Sequence, residues 1–257
     1  MLVELVARGV LPDRIYGTSA GAINGAALAS DPTPEGIENL CNIWRGLTRE
    51  KIFPGSRAQT MVRAVQRRGW LFPSSGLRAV IEAGLAFENL EESPIPLEVV
   101  ATSLVSGTER RLTSGPAVEA LLASAALPGL FPPVVINGEA LVDGSVVNNV
   151  PIAQAIADGA NEVYVLLAGD IQPKPAESFR PLGGLFSALN IAIHNRFFVE
   201  LDDYRTRHPD VVINVISAGG EARSAYNDFS VTEQLISDGR RAAAALLDGK
   251  GVHPRVR

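Results

Sequence analysis

The stretch Gly17-Thr18-Ser19-Ala20-Gly21-Ala22-Ile23-Asn24-Gly25 decides how this chain is read. A β-type dipeptide, Ile15-Tyr16, precedes it, and the small residues Ala20–Ala29 suit a helix packed tightly on a sheet. Residues 17–21 fit the G-x-S-x-G pattern of a serine on a sharp strand-to-helix turn. Such a turn crowds its own backbone, so Gly17 and Gly21 are expected where side chains do not fit. The Ser19 hydroxyl would stand clear of the sheet, with the Ala20 N–H aimed at the reaction centre. The helix N-terminus adds positive potential where an oxyanion would form. As a bare pattern the motif is short, and it also describes a glycine-rich strand–helix turn with no chemistry.

Outward from this turn, strand-like and helix-like runs alternate. Helices are expected over 2–9, from Thr33-Pro34 to about 47, over 57–69 and 75–85, from Pro116 to before Pro128, from Pro151 to Gly159, and over 185–204 and 231–247. Strands are expected at 14–16, 97–101, 108–112, 134–136, 140–142, 162–167 and 211–216, with Asn137-Gly138 as a two-residue hairpin turn. The order predicts an α/β fold, a three-layer α/β/α sandwich on a mainly parallel central sheet. With no repeat or linker, residues 1–257 read as one domain, and 45–90 as a helical cap or pocket wall within it.

Hydrophobic residues make up 46% and charged residues 20% of the 257, with a net charge of −5. That balance argues against a nucleic-acid partner, which needs a concentrated basic surface. Cys41 is the one cysteine, so no internal disulfide forms and a cysteine-based metal site is not expected. The N-terminus has no basic segment or cleavage site of a signal peptide, and no run of eighteen apolar residues occurs. The expected location is cytoplasmic, with contact to membranes from the side.

A serine nucleophile needs a proton acceptor. The histidines are His194, His208 and His253. His194 lies beside an apolar helical stripe, His208 precedes Pro209 in a polar connection, and His253 is in the tail. Each reads as structural or surface, with His208 the best placed for a triad by chain order. Asp143, in Leu141-Val142-Asp143-Gly144-Ser145, ends an apolar strand, where the rim of a parallel sheet presents functional groups. Gly144 would let the backbone turn tightly and bring the carboxylate towards Ser19. Spacing alone leaves an ordinary Asp-Gly turn equally open.

Taken together, the nucleophile block at 17–25, the block Ser124-Ala125-Ala126-Leu127-Pro128-Gly129-Leu130-Phe131-Pro132-Pro133, and Val142-Asp143-Gly144 resemble the patatin-like phospholipase family. The resemblance covers roughly residues 1–170. It implies a Ser-Asp dyad of Ser19 and Asp143 that needs no histidine, metal or cofactor, with Ala20 as an oxyanion donor and an acyl-ester lipid as substrate. Family members usually carry Asp-Gly-Gly or Asp-Gly-Ala at the base; Ser145 is a small departure. They also carry a glycine-rich oxyanion loop after a first strand, upstream of the nucleophile. This chain opens inside the helix that follows that loop, so the expectation is that upstream sequence supplies it. Gly219-Gly220-Glu221-Ala222-Arg223 reads as a turn, not as a substitute.

The implied activity is that of a phospholipase A or lysophospholipase. The alternatives are a carboxylesterase or thioesterase on the same dyad, a lipid-binding chain without catalysis, and, weakest, a histidine-triad hydrolase. The aromatic set Trp44, Phe53, Trp70, Phe72 and Phe87 reads either as an acyl-pocket wall or as packing of a helical subdomain. Arg67-Arg68 and Arg110-Arg111 read as solvated pairs, not phosphate sites.

Overall fold

The helix α1 (Leu2–Ala7), the strand β1 (Ile15–Thr18) and the helix α2 (Ala20–Ser30) come first, with Ser19 as the single residue between strand and second helix. A computed structural model describes residues 1–55, 69–167, 181–217 and 228–249. The helices expected at 57–69 and the glycine pair at 219–220 fall largely or wholly outside those residues, as do Arg67-Arg68 and His253. Three helices follow α2: α3 (Pro34–Arg45), the single turn α4 (Arg49–Ile52) and α5 (Ser75–Ala83). Thr33 caps α3 as its residue type predicts, its hydroxyl accepting from the Gly36 N–H at 3.1 Å ahead of Pro34.

The strand β2 (Leu97–Ser103) is buried along its whole length, and β3 (Glu109–Leu112), α6 (Ala117–Ser124), β4 (Val134–Ile136) and β5 (Glu139–Asp143) follow it. Asn137 and Gly138 have φ of 51° and 79°, the paired left-handed conformation of a two-residue hairpin turn, and they join β4 to β5. The chain continues through α7 (Ile152–Ala157), β6 (Glu162–Leu167), α8 (Pro181–Arg207), β7 (Val212–Ser217) and α9 (Thr232–Leu247).

Helices cover the strands on both faces, as expected for an α/β sandwich. On one side of the parallel pair β6–β7, Val165, Ile213 and Val215 pack on Phe197 and Leu201 of α8. On the other, Ile216, Tyr164 and Leu166 pack on Leu5 of α1 and Ala243 of α9. The main core lies where α2, α5 and α6 cover Leu97 and Val99 of β2. Gly25 lets α2 sit close on β1, since a Cβ there would lie 2.7 Å from Ile15 Cγ2.

The expectation of a mainly parallel sheet is corrected. β1 pairs with β2 in parallel, but β3 and β5 both pair with β2 antiparallel, as β4 does with β5. The register carries a consequence for the site. β3 occupies one edge of β2 from Val99 to Thr102. Each strand has only two edges, so β1 and β5 share the other. β1 covers Leu97 to Val100 and β5 covers Ala101 to Ser103, running the opposite way. The two strands therefore meet end to end, Thr18 opposite Val100 and Asp143 opposite Ala101. Adjacent register positions are about 3.3 Å apart along a strand.

Cys41 is buried on α3. Arg110 and Arg111, on alternate faces of β3, are each ion-paired: Arg110 Nε to Glu139 at 2.7 Å, and Arg111 by two bonds to buried Glu98 at 2.6 Å. No helix among the described residues is long and apolar enough to cross a membrane.

Candidate active site

The turn between β1 and α2 is as sharp as its sequence predicts. Ser19 has φ 55° and ψ −126°, a conformation that costs a non-glycine residue on the order of 1–3 kcal/mol. Its carbonyl opens α2 by accepting from the N–H groups of Ala22 and Ile23. Its own N–H donates to Ser124 Oγ at 2.9 Å. The two glycines of the motif differ. At Gly17 a Cβ would lie 2.5 Å from Ala22 Cα, so only glycine fits. Gly21 is exposed and a Cβ there would meet nothing within 4 Å, so the crowding expected at both positions occurs at Gly17 alone. The N–H groups of Ala20 and Gly21 meet no acceptor among the described residues, and both sit at the positive end of the 11-residue α2.

Asp143 ends β5 and is fully buried. Instead of the rim of a parallel sheet expected from its sequence, it lies within the sheet, because β5 enters antiparallel and stops where β1 stops. Gly144 is what allows that stop. A Cβ there would sit 2.3 Å from the Val100 carbonyl oxygen and 3.0 Å from Thr18 Cγ2. The Asp143 backbone is tied on both sides, its N–H donating to Ala126 O at 3.0 Å and its carbonyl accepting from Thr102 Oγ1 at 2.8 Å. One carboxylate oxygen, Oδ1, accepts from the Ser145 N–H at 2.9 Å. The other, Oδ2, is buried without a hydrogen-bond partner among the described residues.

Burial pushes the Asp143 carboxyl above its ordinary pKa, opposed first by the Ser19 hydroxyl and then by Ser145. Ser19 is thus close enough to act on the carboxylate, although no hydrogen bond of good geometry yet joins it to Oδ2. Among the described residues, no imidazole acts on Asp143. His194 stacks edge-on against Phe198 within α8, and the His208 N–H bonds to Tyr204 O just past that helix.

The aromatic set is mostly packing. Phe53 meets Phe72 edge-on at 5.0 Å and stacks on Phe131 at 5.5 Å inside the main core. Trp44 Nε1 donates to Asn24 Oδ1 at 2.8 Å, fixing α3 to the second turn of α2. An apolar cavity of about 10 Å³ lies beside Ile23, Ala26, Trp44, Ile81 and Leu121. That is room for about one water and not for an acyl chain. Ser124 and Ala126, which bond the two backbones of the site, are residues to which sequence reasoning assigned no role.

Against known proteins, the family model described as Patatin-like phospholipase matches residues 2–156. The chain is 28% identical over 195 residues to Lysophospholipase NTE1 of Kluyveromyces lactis, a stretch covering 74% of this chain and 13% of that protein. It is 30% identical over 169 residues to an uncharacterized NTE family protein of Mycobacterium tuberculosis, covering 65% of this chain and 44% of that one. A second Lysophospholipase NTE1, from Meyerozyma guilliermondii, is 24% identical over 82% of this chain and 14% of its own length. The chain thus spans less than half of the relatives it matches.

Proposed function

This chain belongs to the patatin-like phospholipase family, and on that premise we propose that it is a serine lipid acyl hydrolase of lysophospholipase or phospholipase A type. Ser19 is its nucleophile and Asp143 its base. The observation that carries this reading is the meeting of β1 and β5 end to end on one edge of β2, with a buried Asp143 oxygen that has no hydrogen-bond partner among the described residues beside the strained Ser19. An orphaned buried oxygen is costly to keep and is a common mark of a functional group.

In the proposed reaction, the ionised Asp143 takes the Ser19 hydroxyl proton as Oγ bonds to the ester carbonyl carbon. Negative charge moves to the carbonyl oxygen, where the free Ala20 N–H at the α2 N-terminus stabilises it. The tetrahedral species collapses, the alcohol leaves with the proton from Asp143, and the acyl group remains on Ser19. Water then gives a proton to Asp143 and attacks the acyl carbon. Collapse releases the fatty acid and returns the proton to Ser19. Desolvation of the carboxylate makes it a stronger base than an exposed aspartate.

The test is turnover of a lysophosphatidylcholine and of p-nitrophenyl butyrate by wild type, Ser19→Ala and Asp143→Asn. The reading requires fatty-acid release by wild type and loss of at least 10³-fold, roughly, in each variant, the scale on which single members of serine catalytic sets act. Activity on the nitrophenyl ester with none on the lipid would move the reading to a carboxylesterase. A folded wild type with no turnover of either would leave a lipid-binding chain.

A further inference from the structure

The dyad's two residues are 124 positions apart in sequence, yet both of their backbone N–H groups are held by one three-residue segment. At the C-terminus of α6, Ser124 Oγ accepts the Ser19 N–H at 2.9 Å, and two residues on, Ala126 O accepts the Asp143 N–H at 3.0 Å. The Ser124 hydroxyl also donates to Val100 O at 2.6 Å, so it is used in both directions. Val100 is the residue of β2 opposite Thr18, at the point where β1 ends and the Gly144 backbone crosses it. Ser124 is fully buried, so no water competes for these bonds.

We propose that Ser124–Ala126 is a positioning bracket that sets the Ser19–Asp143 separation, with the Ser124 hydroxyl as its essential side chain. This rests on the dyad reading above. Ser124 hydrogen-bonds the Ser19 N–H and Val100 O rather than the hydroxyl or the carboxylate, so it is a positioning residue and not a catalytic one. Its work follows from the strain at Ser19. A residue at φ 55° relaxes towards an ordinary conformation unless its neighbours over-determine it. Relaxation would swing Oγ away from Asp143, whose own place is fixed by Ala126 and Thr102. Ser124 anchors the turn to the middle of β2, the most buried strand of the sheet, and so couples the nucleophile to the same frame as the base.

The experiment compares Ser124→Ala and Ser124→Cys with wild type. The thiol keeps the side chain's shape, with a larger sulfur, but is a poor acceptor, so it carries the test if alanine fails to fold. The readouts are the rate of labelling by a fluorophosphonate and the kcat and KM for p-nitrophenyl butyrate. Misplacement of reacting groups by about 1 Å costs on the order of 100-fold. Labelling and kcat should fall together by roughly 10- to 100-fold, with KM within about twofold. Ile213→Val, in the core of the β6–β7 pair, is the stability control. It should lower the melting temperature without changing the labelling rate. Wild-type labelling in both Ser124 variants, or an equal rate loss in Ile213→Val, overturns the bracket while leaving the dyad intact. Undiminished labelling in Ser19→Ala overturns the dyad and the bracket with it.

Discussion

Replacing Asp143 by asparagine should abolish turnover and stabilise the protein, and the gain should grow with pH. Burial holds the folded carboxyl above its ordinary pKa, so as pH rises the unfolded chain loses this proton first. Below the ordinary carboxylate pKa both states are neutral, and ionisation costs the fold nothing. Stability contributed by the neutral form is then lost as pH climbs through the raised folded pKa, and above it the loss is complete. Asparagine has no such loss. With Oδ1 still accepting from Ser145, its amide takes the place of the orphaned Oδ2 and donates to Ser19 Oγ. An unsatisfied buried acceptor costs about 1–3 kcal/mol. In a chain of this length each kcal/mol is worth about 2–4 °C, so Asp143→Asn should melt about 2–12 °C higher at pH 8. The difference should shrink towards pH 4. Differential scanning calorimetry of both proteins across that range is the assay. A difference that is constant with pH, or an asparagine variant that melts lower at pH 8, would refute the argument that this carboxylate is a strained, buried base.

Three further outcomes follow from the same geometry. The acid limb of the kcat/KM profile should lie above the ordinary aspartate pKa, because the base must be ionised and burial raises its pKa; a profile flat down to pH 4 contradicts this. Gly144→Ala places a Cβ against the Val100 carbonyl, so β5 must shift where it meets Ser19. Overpacking of this kind costs about 1–3 kcal/mol, and turnover should fall further than that stability loss explains. Gly17→Ala and Gly21→Ala should part company. The first collides with α2 and lowers the melting temperature, whereas the second adds a methyl in open space and leaves stability equal or higher by up to about 1 kcal/mol. Equal destabilisation of the two, read by thermal melts, would show that the elbow is packed differently.

Much of this site was legible in the chain, though not always for the right reason. The Ser19 turn announced itself locally, since a glycine, a serine and a run of small residues are what a tight strand–helix turn requires. The hairpin at Asn137-Gly138 was equally local, and it fixed β4 and β5 as an antiparallel pair. Nothing in either strand, however, says which edge of β2 receives β5 or in which direction. Asp143 was therefore found through a family resemblance and a rim argument that its observed place within the sheet replaces. Ser124 and Ala126 lie in the second block of the resemblance, but their bonds to Ser19 and Asp143 were invisible for the same reason. A buried serine that accepts a hydrogen bond from a residue 105 positions away leaves no spacing pattern. Arg110 and Arg111 are part-exposed, but their ion-pair partners, Glu139 and Glu98, come from other strands and left no local signal.

The account depends most on Ser19 carrying the acyl group. A rapid mix of wild type with p-nitrophenyl butyrate, quenched in acid and digested, allows the peptide containing Ser19 to be weighed. The account predicts a burst of nitrophenol matched to enzyme concentration and a butyryl increment on Ser19. The increment should build up far more slowly in Asp143→Asn. Turnover that proceeds with the butyryl group on another residue, or with no covalent adduct at all, would contradict it.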